Sequence, residues 1–255
     1  MENIKRVLSY IRRALDDYSM IEDGDKIAVG VSAGKDSLTL LCAMAELRRF
    51  YPKKFELCAI TVDMGFENMD LSPIANFCRE LDVEYKIIPT QIAKIIFDVR
   101  KEKNPCSLCA KMRRGALYGY AKEIGCNKVA LGHHFDDVVE TFMLNLFYEG
   151  RLGCFQPVTY LSNTGITLIR PMIYMPEKDV RYFASKTELP IIKSPCLADG
   201  NTEREQMKKL LASLERENKG LRYRIFGAIQ RAEIDGFHEI GRMQGMKSYE
   251  DDDEQ

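Results

Sequence analysis

Short apolar runs alternate with longer amphipathic stretches along the first half of the chain. Apolar side chains recur at helical spacing over residues 3–18, and a short β-branched run at 26–31 is followed at once by a helical stretch at 37–49. The same rhythm predicts further strands and helices, the strands at 55–62, 84–88 and 127–131 and the helices at 70–81, 91–100, 110–124 and 136–148. Such alternation is typical of α/β folds in which right-handed crossovers join parallel strands. The pattern therefore predicts a Rossmann-like, doubly wound parallel sheet.

The second half of the chain has a different pattern. Residues 157–170 predict a hairpin that turns at Ser162-Asn163-Thr164-Gly165. We expect a helix at 177–188, a strand at Pro190-Ile191-Ile192 that completes the sheet, and two charged helices at 203–218 and 221–234. The predicted organisation has four parts: an N-terminal helix (1–20), an α/β domain (21–200), a helical C-terminal extension (201–240) and an acidic tail without regular structure (241–255).

Composition narrows the class of protein. The 255 residues are 45% hydrophobic, which is enough for one good core. No apolar run approaches the roughly 20 residues of a membrane span, and the charged N-terminus is unlike a signal peptide. We therefore expect a cytoplasmic protein without membrane contact, in which the eight cysteines do not form disulfides.

Charge adds a local rather than a global signal. The formal net charge of −1 gives no support for nucleic-acid binding by the chain as a whole. Basic residues nevertheless cluster in two places, first at Lys111, Arg113 and Arg114, and again at Arg216, Lys219, Arg222 and Arg224. Each cluster is a candidate surface for RNA phosphates, and a solvated helix face is the simpler alternative.

The segment Ser32–Ser37, with the sequence Ser-Ala-Gly-Lys-Asp-Ser, lies between a predicted strand and a predicted helix. This arrangement points backbone N–H groups and a helix N-terminus at an anion, and Lys35 adds a point charge. The spacing is not that of a Walker A loop. It is similar to the Ser-Gly-Gly-x-Asp-Ser PP-loop of ATP pyrophosphatases, with Ala33 in place of the first Gly. We expect Ser32, Ala33, Gly34, Lys35, Asp36 and Ser37 to bind ATP.

Two further signals fall at predicted strand ends. Asp63 ends the second strand, and Gly132-His133 follows the fourth. Ligands of parallel α/β sheets bind at the carboxyl ends of the strands, where the PP-loop also lies. Asp63 and Gly132 are therefore predicted ATP-site residues, and Asp63, Asp136 and Asp137 are candidates for holding Mg²⁺ or for acting as a base.

Six of the eight cysteines fall into two groups. Cys106 and Cys109 form a Cys-x-x-Cys at a predicted helix start, and Cys196 lies in a later loop. Zinc, an iron–sulfur cluster and a redox disulfide are all compatible with such a pair. Cys42, Cys58 and Cys78 occupy apolar stripes and are predicted core residues.

Together these motifs resemble the tRNA 2-thiolation enzymes, and most closely the tRNA 2-thiocytidine synthetases. The resemblance extends over residues 20–230 and includes the PP-loop, the segments 106–115, 131–137, 144–148 and 169–172, and Cys196. It implies that ATP adenylates a tRNA cytidine at C2, at anticodon-loop position 32, and that sulfur then replaces the oxygen. Cys106, Cys109 and Cys196 would hold a [4Fe-4S] cluster. Asp137 would be catalytic, and Arg113 stands where relatives carry a catalytic Lys.

The resemblance also implies partners. These are tRNA and a sulfur donor that is either a cysteine desulfurase or free sulfide. From the two basic clusters, Lys111, Arg114, Arg222 and Arg224 are the expected RNA contacts. The resemblance implies Mg²⁺ with ATP and allows a homodimer. Three alternatives stay open: thiolation of another tRNA base, a cluster-free PP-loop ligase or amidating enzyme, and a non-catalytic nucleotide- or zinc-binding module.

Overall fold

The computed structural model describes residues 4–66, 69–100, 105–192 and 203–239. Six strands form one sheet in the order β3-β2-β1-β4-β6-β5. The strands are β1 (Asp25–Gly30), β2 (Phe55–Asp63), β3 (Glu84–Pro89), β4 (Lys128–Ala130), β5 (Val158–Leu161) and β6 (Ile166–Ile169). All neighbouring pairs are parallel except β5 and β6, which form an antiparallel hairpin. The predicted α/β sheet is confirmed.

The helices lie between and after the strands. They are α1 (Ile4–Asp17), α2 (Lys35–Leu47), α3 (Ser72–Glu80), α4 (Ile92–Lys94, continued by a π-helical turn over Ile95–Val99), α5 (Pro105–Glu123), α6 (Phe135–Tyr148), α7 (Glu177–Lys186), α8 (Glu203–Glu217) and α9 (Leu221–Arg231). A 3-10 turn follows at Ile234–Gly236. Within the described residues no helix is long and apolar enough to cross a membrane.

The central strands read as continuous apolar runs because both faces of the sheet are covered. On one face α2, itself buried along most of its length, packs in a large core with α1, α6 and α7. On the other face Leu117, Tyr118 and Ala121 of α5 pack against β1, β2, β4 and β6. The ends of β1 and β4 therefore open between α2 and α5.

Two sequence expectations need correction. Pro190-Ile191-Ile192 is not a strand, and the hairpin β5–β6 completes the sheet instead. The helix predicted at 91–100 is α-helical only over Ile92–Lys94, and the turn over Ile95–Val99 is π-helical. The predicted acidic tail at 241–255 lies outside the described residues.

Candidate active site

The PP-loop is held by the side chain of Ser37. The Ser37 hydroxyl accepts a hydrogen bond from the Ser32 N–H at 3.1 Å and donates one to the Gly34 carbonyl at 3.0 Å. Gly34 is the N-cap of α2 and supplies no side-chain cap. The first N–H groups of an α-helix have no intrahelical partner, so this turn offers donors to an anion.

Ala33, the departure from the family pattern, keeps the backbone shape of a glycine. Its φ is +64°, in the left-handed region that favours Gly. The Ala33 side chain is buried, and its carbonyl accepts a hydrogen bond from the N–H of Ile192 at 3.1 Å. The methyl group therefore packs inside the protein, and the loop turns as a glycine would allow.

Gly132 allows the end of β4 to touch the start of α2. A Cβ at this position would lie 3.1 Å from the Asp36 carbonyl carbon and 3.1 Å from the Ser37 amide nitrogen. These are backbone atoms, which yield less readily than a side chain. Gly132 therefore lets the first turn of α2 approach β4 closely.

Lys35 lies between two carboxylates. Its Nζ is 2.9 Å from Asp36 Oδ1 and 3.2 Å from Glu177 Oε1. Burial lowers the pKa of Lys35, but the two carboxylates outweigh this effect and the net direction is upward. The ammonium group stays charged, as a phosphate ligand requires.

A cavity of about 700 Å³ opens beside this loop. Its walls come from the ends of β1, β2, β4, β5 and β6 and from one face of α5. The predicted site residues that line it are Ser32, Asp36, Ser37, Arg113, Arg114, Gly132 and Asp137. Asp63 is not among the lining residues, and its carboxylate accepts a hydrogen bond from the Gly65 N–H at 2.9 Å in the turn after β2.

Three residues that line the cavity carry buried polar atoms without a hydrogen-bond partner in the described part of the chain. The atoms are His133 Nδ1, Arg170 Nε and the Tyr118 hydroxyl. Burial lowers the pKa of His133 to about 4, so its imidazole is neutral at pH 7. Unpaired buried polar groups are costly, and they mark this wall as a place where a ligand completes the hydrogen bonding.

Asp137, the candidate catalytic carboxylate, is fixed by its own helix start. It forms a capping box with His134, in which Oδ2 accepts from the His134 N–H at 2.9 Å and His134 Nδ1 accepts from the Asp137 N–H at 3.4 Å. The other oxygen, Oδ1, lies 3.2 Å from Arg204 of α8. His134 Nε2 is 3.8 Å from Asp36 Oδ1, so Asp36 and Asp137 flank one imidazole.

These two carboxylates fit a magnesium ion that is also held by phosphate. Mg²⁺ is usually bound by one or two carboxylates together with substrate phosphates and waters.

Arg222 ties the C-terminal helices to α6. Its Nη1 lies 2.9 Å from Asp136 and 3.6 Å from Glu140, and its side chain is 14% exposed. Burial, and then the Asp137 charge, raise the pKa of Glu140, while nearby cations oppose them. The sequence did not indicate this internal role for Arg222, and the RNA contact predicted for it is untested.

The other predicted RNA contacts lie on exposed helix surfaces. Lys111 and Arg114 are exposed on α5, and Arg114 also lines the cavity. Arg224 is exposed on α9 and donates to the Lys219 carbonyl at 2.9 Å. These positions leave their charges accessible to a polyanion.

Cys106 and Cys109 lie in the first turn of α5, Cys106 exposed and Cys109 half-buried. Their i, i+3 spacing puts both on one helix face, which continues through Ala110 and Arg113 into the cavity wall. The pair fits two ligands of an iron–sulfur cluster about one turn from the site. Cys196, the third expected ligand, lies outside the described residues.

Comparisons with known proteins place the chain in a family. Residues 5–215 match the model of the PP-loop domain. The tRNA-cytidine(32) 2-sulfurtransferase of Geobacter sulfurreducens is 40% identical over 228 residues, covering 88% of this chain and 89% of the relative. The enzyme of the same name from Teredinibacter turnerae is also 40% identical, over 89% of this chain and 76% of its own length.

A solved structure agrees with these matches. The U34-tRNA thiolase NcsA from Methanococcus maripaludis with its [4Fe-4S] cluster superposes with a TM-score of 0.73 and 28% identity. The superposition covers 93% of this chain and 81% of that one. With the PP-loop at the start of α2 and the cysteine pair beside the cavity, the chain belongs to the tRNA-cytidine(32) 2-sulfurtransferase family of PP-loop proteins.

Proposed function

We propose that this protein replaces the C2 oxygen of a tRNA cytidine by sulfur in an ATP-dependent reaction, at anticodon-loop position 32 as in the relatives' name. The main support for the proposal is the arrangement of side chains on one face of α5. Along α5 the cysteine pair is followed by two arginines that line the same cavity as the PP-loop. A cluster-free ligase would need the loop but not the thiols.

The first chemical step is adenylation of the base. The cytidine O2 attacks the α-phosphorus of ATP, and the bond to pyrophosphate breaks. We assign triphosphate binding to Ser32–Ser37, where the helix start offers N–H donors and Lys35, now paired with Asp36, would supply a positive charge. Asp36 and Asp137 are the proposed Mg²⁺ carboxylates, and the metal would balance the charge that builds on the leaving pyrophosphate.

The second step displaces AMP from C2. A sulfur nucleophile adds to C2, and the C2–O bond breaks with the oxygen leaving on AMP. A [4Fe-4S] cluster held by Cys106, Cys109 and Cys196 would supply an open iron that binds sulfide. Arg113 lines the cavity one turn after Cys109 and is proposed to stabilise negative charge on the phosphate during this displacement.

The proposed partners are tRNA and a sulfur donor, either a cysteine desulfurase or free sulfide. Lys111, Arg114 and Arg224 are the proposed RNA contacts, with Arg222 in a mainly internal role. We also propose a cytoplasmic location, where tRNA is modified, and leave a homodimer as an allowed assembly.

Mass spectrometry of tRNA nucleosides from a strain that lacks this gene tests the proposal. We expect 2-thiocytidine to disappear and to return with the wild-type gene but not with Lys35→Ala. If 2-thiocytidine persists in the deletion strain, or another thionucleoside disappears in its place, the proposed substrate is wrong.

A further inference from the structure

Glu177 is the second carboxylate at Lys35, and no motif singled it out. It is the first residue of α7, its Oε1 lies 3.2 Å from Lys35 Nζ, and its side chain is 11% exposed. Its N–H donates to Asp136 Oδ2 at 2.7 Å, which fixes the start of α7 against the start of α6. Glu177 therefore lies at a junction of three helix starts, those of α2, α6 and α7.

Three cations share the Glu177 carboxylate. Lys35 lies 3.2 Å away, Lys208 of α8 lies 2.8 Å away, and Arg181 on α7 lies 3.0 Å away. These cations hold the pKa of Glu177 at about 2 against the effect of burial, which alone would raise it. The carboxylate is therefore ionised throughout the physiological range.

The charges of this cluster bear on phosphate binding. Glu177 is an anion beside the phosphate-binding loop, and three cations contact it. Removing Glu177 would make the cluster more positive. Electrostatics alone then predicts that ATP binds no more weakly when this carboxylate is lost.

Loss of Glu177 should, in contrast, harm the orientation of the Lys35 side chain. A lysine side chain has many rotamers, and Glu177 is a second anchor, in addition to Asp36, that restrains the ammonium. Without that restraint Lys35 can pair with Asp36 alone, at 2.9 Å from Oδ1. The charge would remain near ATP, but its position would no longer be fixed.

We infer that Glu177 is a positioning residue for adenylation: it holds the Lys35 ammonium where the phosphates bind, and Lys208 of α8 holds Glu177 in turn. The C-terminal helix α8 is thereby part of the ATP site rather than a separate appendage. A second contact supports this, since Arg204 of α8 reaches Asp137 at 3.2 Å. The inference rests on the proposed function, because it assigns a role within that reaction.

Glu177→Gln is the variant that separates position from charge. We expect kcat for 2-thiocytidine formation to fall by roughly a hundredfold, the effect of a misplaced group, while KM for ATP stays the same or falls. Glu177→Asp, which keeps the carboxylate, should recover part of kcat. Lys186→Met is the matched control, because it removes an exposed cation in the last turn of the same helix, far from Glu177. Its kcat should match the wild type, whereas Lys208→Met should lower kcat.

A double-mutant cycle checks that Glu177 acts through Lys35. In a Lys35→Met background, Glu177→Gln should change the residual rate no further, and urea unfolding identifies any variant that has lost its fold. An unchanged kcat in Glu177→Gln, or a raised KM for ATP with kcat retained, overturns the inference. The inference is also overturned if Glu177→Gln lowers the rate in the Lys35→Met background by the same factor as in the wild type. If the wild-type protein forms no 2-thiocytidine, the proposed function fails instead, and the two failures are distinct.

Discussion

The close contact at Gly132 predicts how far a Gly132→Ala substitution would displace α2, and three distances set the size of this displacement. A Cβ there would lie 3.1 Å from two backbone atoms at the Asp36–Ser37 peptide and 3.2 Å from the Asp36 carbonyl oxygen. Ordinary carbon contacts begin at about 3.5 Å, so Gly132→Ala must push the first turn of α2 away by about 0.3–0.4 Å. Overpacking of this kind costs about 1–3 kcal/mol of stability.

The same displacement should weaken ATP binding. If two or three N–H groups of the first turn each lose about 0.5 kcal/mol of their hydrogen bonds to phosphate, affinity falls roughly tenfold. Isothermal titration with ATP and Mg²⁺ measures the affinity, and urea unfolding measures the stability. Gly119→Ala is the control, because it lies on an exposed helix position with no atom within 4 Å of the new Cβ. That variant should gain about 0.5–1 kcal/mol of stability and bind ATP unchanged. Equal ATP affinity in Gly132→Ala and the wild type would refute the close-contact account of the PP-loop.

Three further predictions follow from the ion pairs and the exposed cations. The pKa of Glu177 is held at about 2, below the value of about 4.3 for an unfolded chain, so its ion pairs stabilise the fold above pH 4.3 and this stability is lost as pH falls toward 2. The stability advantage of the wild type over Glu177→Gln should therefore shrink from about 3 kcal/mol at pH 6 to near zero at pH 2. A stability difference that does not depend on pH would contradict this. Arg222→Met leaves Asp136 without this cation and Glu140 with Arg204 alone, and it should cost about 3 kcal/mol in urea unfolding; an unchanged stability would show that the pair is dispensable. Arg224→Ala should lower the slope of log affinity for tRNA against log salt by about 1 and leave ATP binding intact, and an unchanged slope would remove Arg224 from the RNA contacts.

The sequence predicted the fold correctly where the hydrophobic periodicity and the turn residues indicated the same elements. The alternation through β4 and α6 predicted the parallel sheet, and the turn at 162–165 predicted the β5–β6 hairpin. The predicted strand at Pro190-Ile191-Ile192 failed because a short apolar run with a leading proline does not define a strand. Ile191 is exposed, and Ile192 donates its N–H to the Ala33 carbonyl in the PP-loop.

The sequence predicted the parts of the candidate site that lie in one continuous segment, namely the PP-loop and the cysteine pair. It did not predict the residues that complete the site, because these come together only by tertiary packing. Glu177 reads as an ordinary acidic residue in a helix first turn, and Arg204 as a solvated charge. Only the packing of α7 against α2 and of α8 against α6 places these two side chains at Lys35 and Asp137.

The central claim, that one chain couples adenylation of a cytidine to its thiolation, is tested most directly by counting products. The purified protein is reconstituted anaerobically with iron and sulfide and supplied with ATP, Mg²⁺ and unmodified tRNA. Our account predicts one AMP and one pyrophosphate for each 2-thiocytidine formed, and no thiolated product from a Cys106→Ala variant that still binds ATP. Thiolation without AMP release, or a Cys106→Ala variant that thiolates tRNA at the wild-type rate, would contradict it.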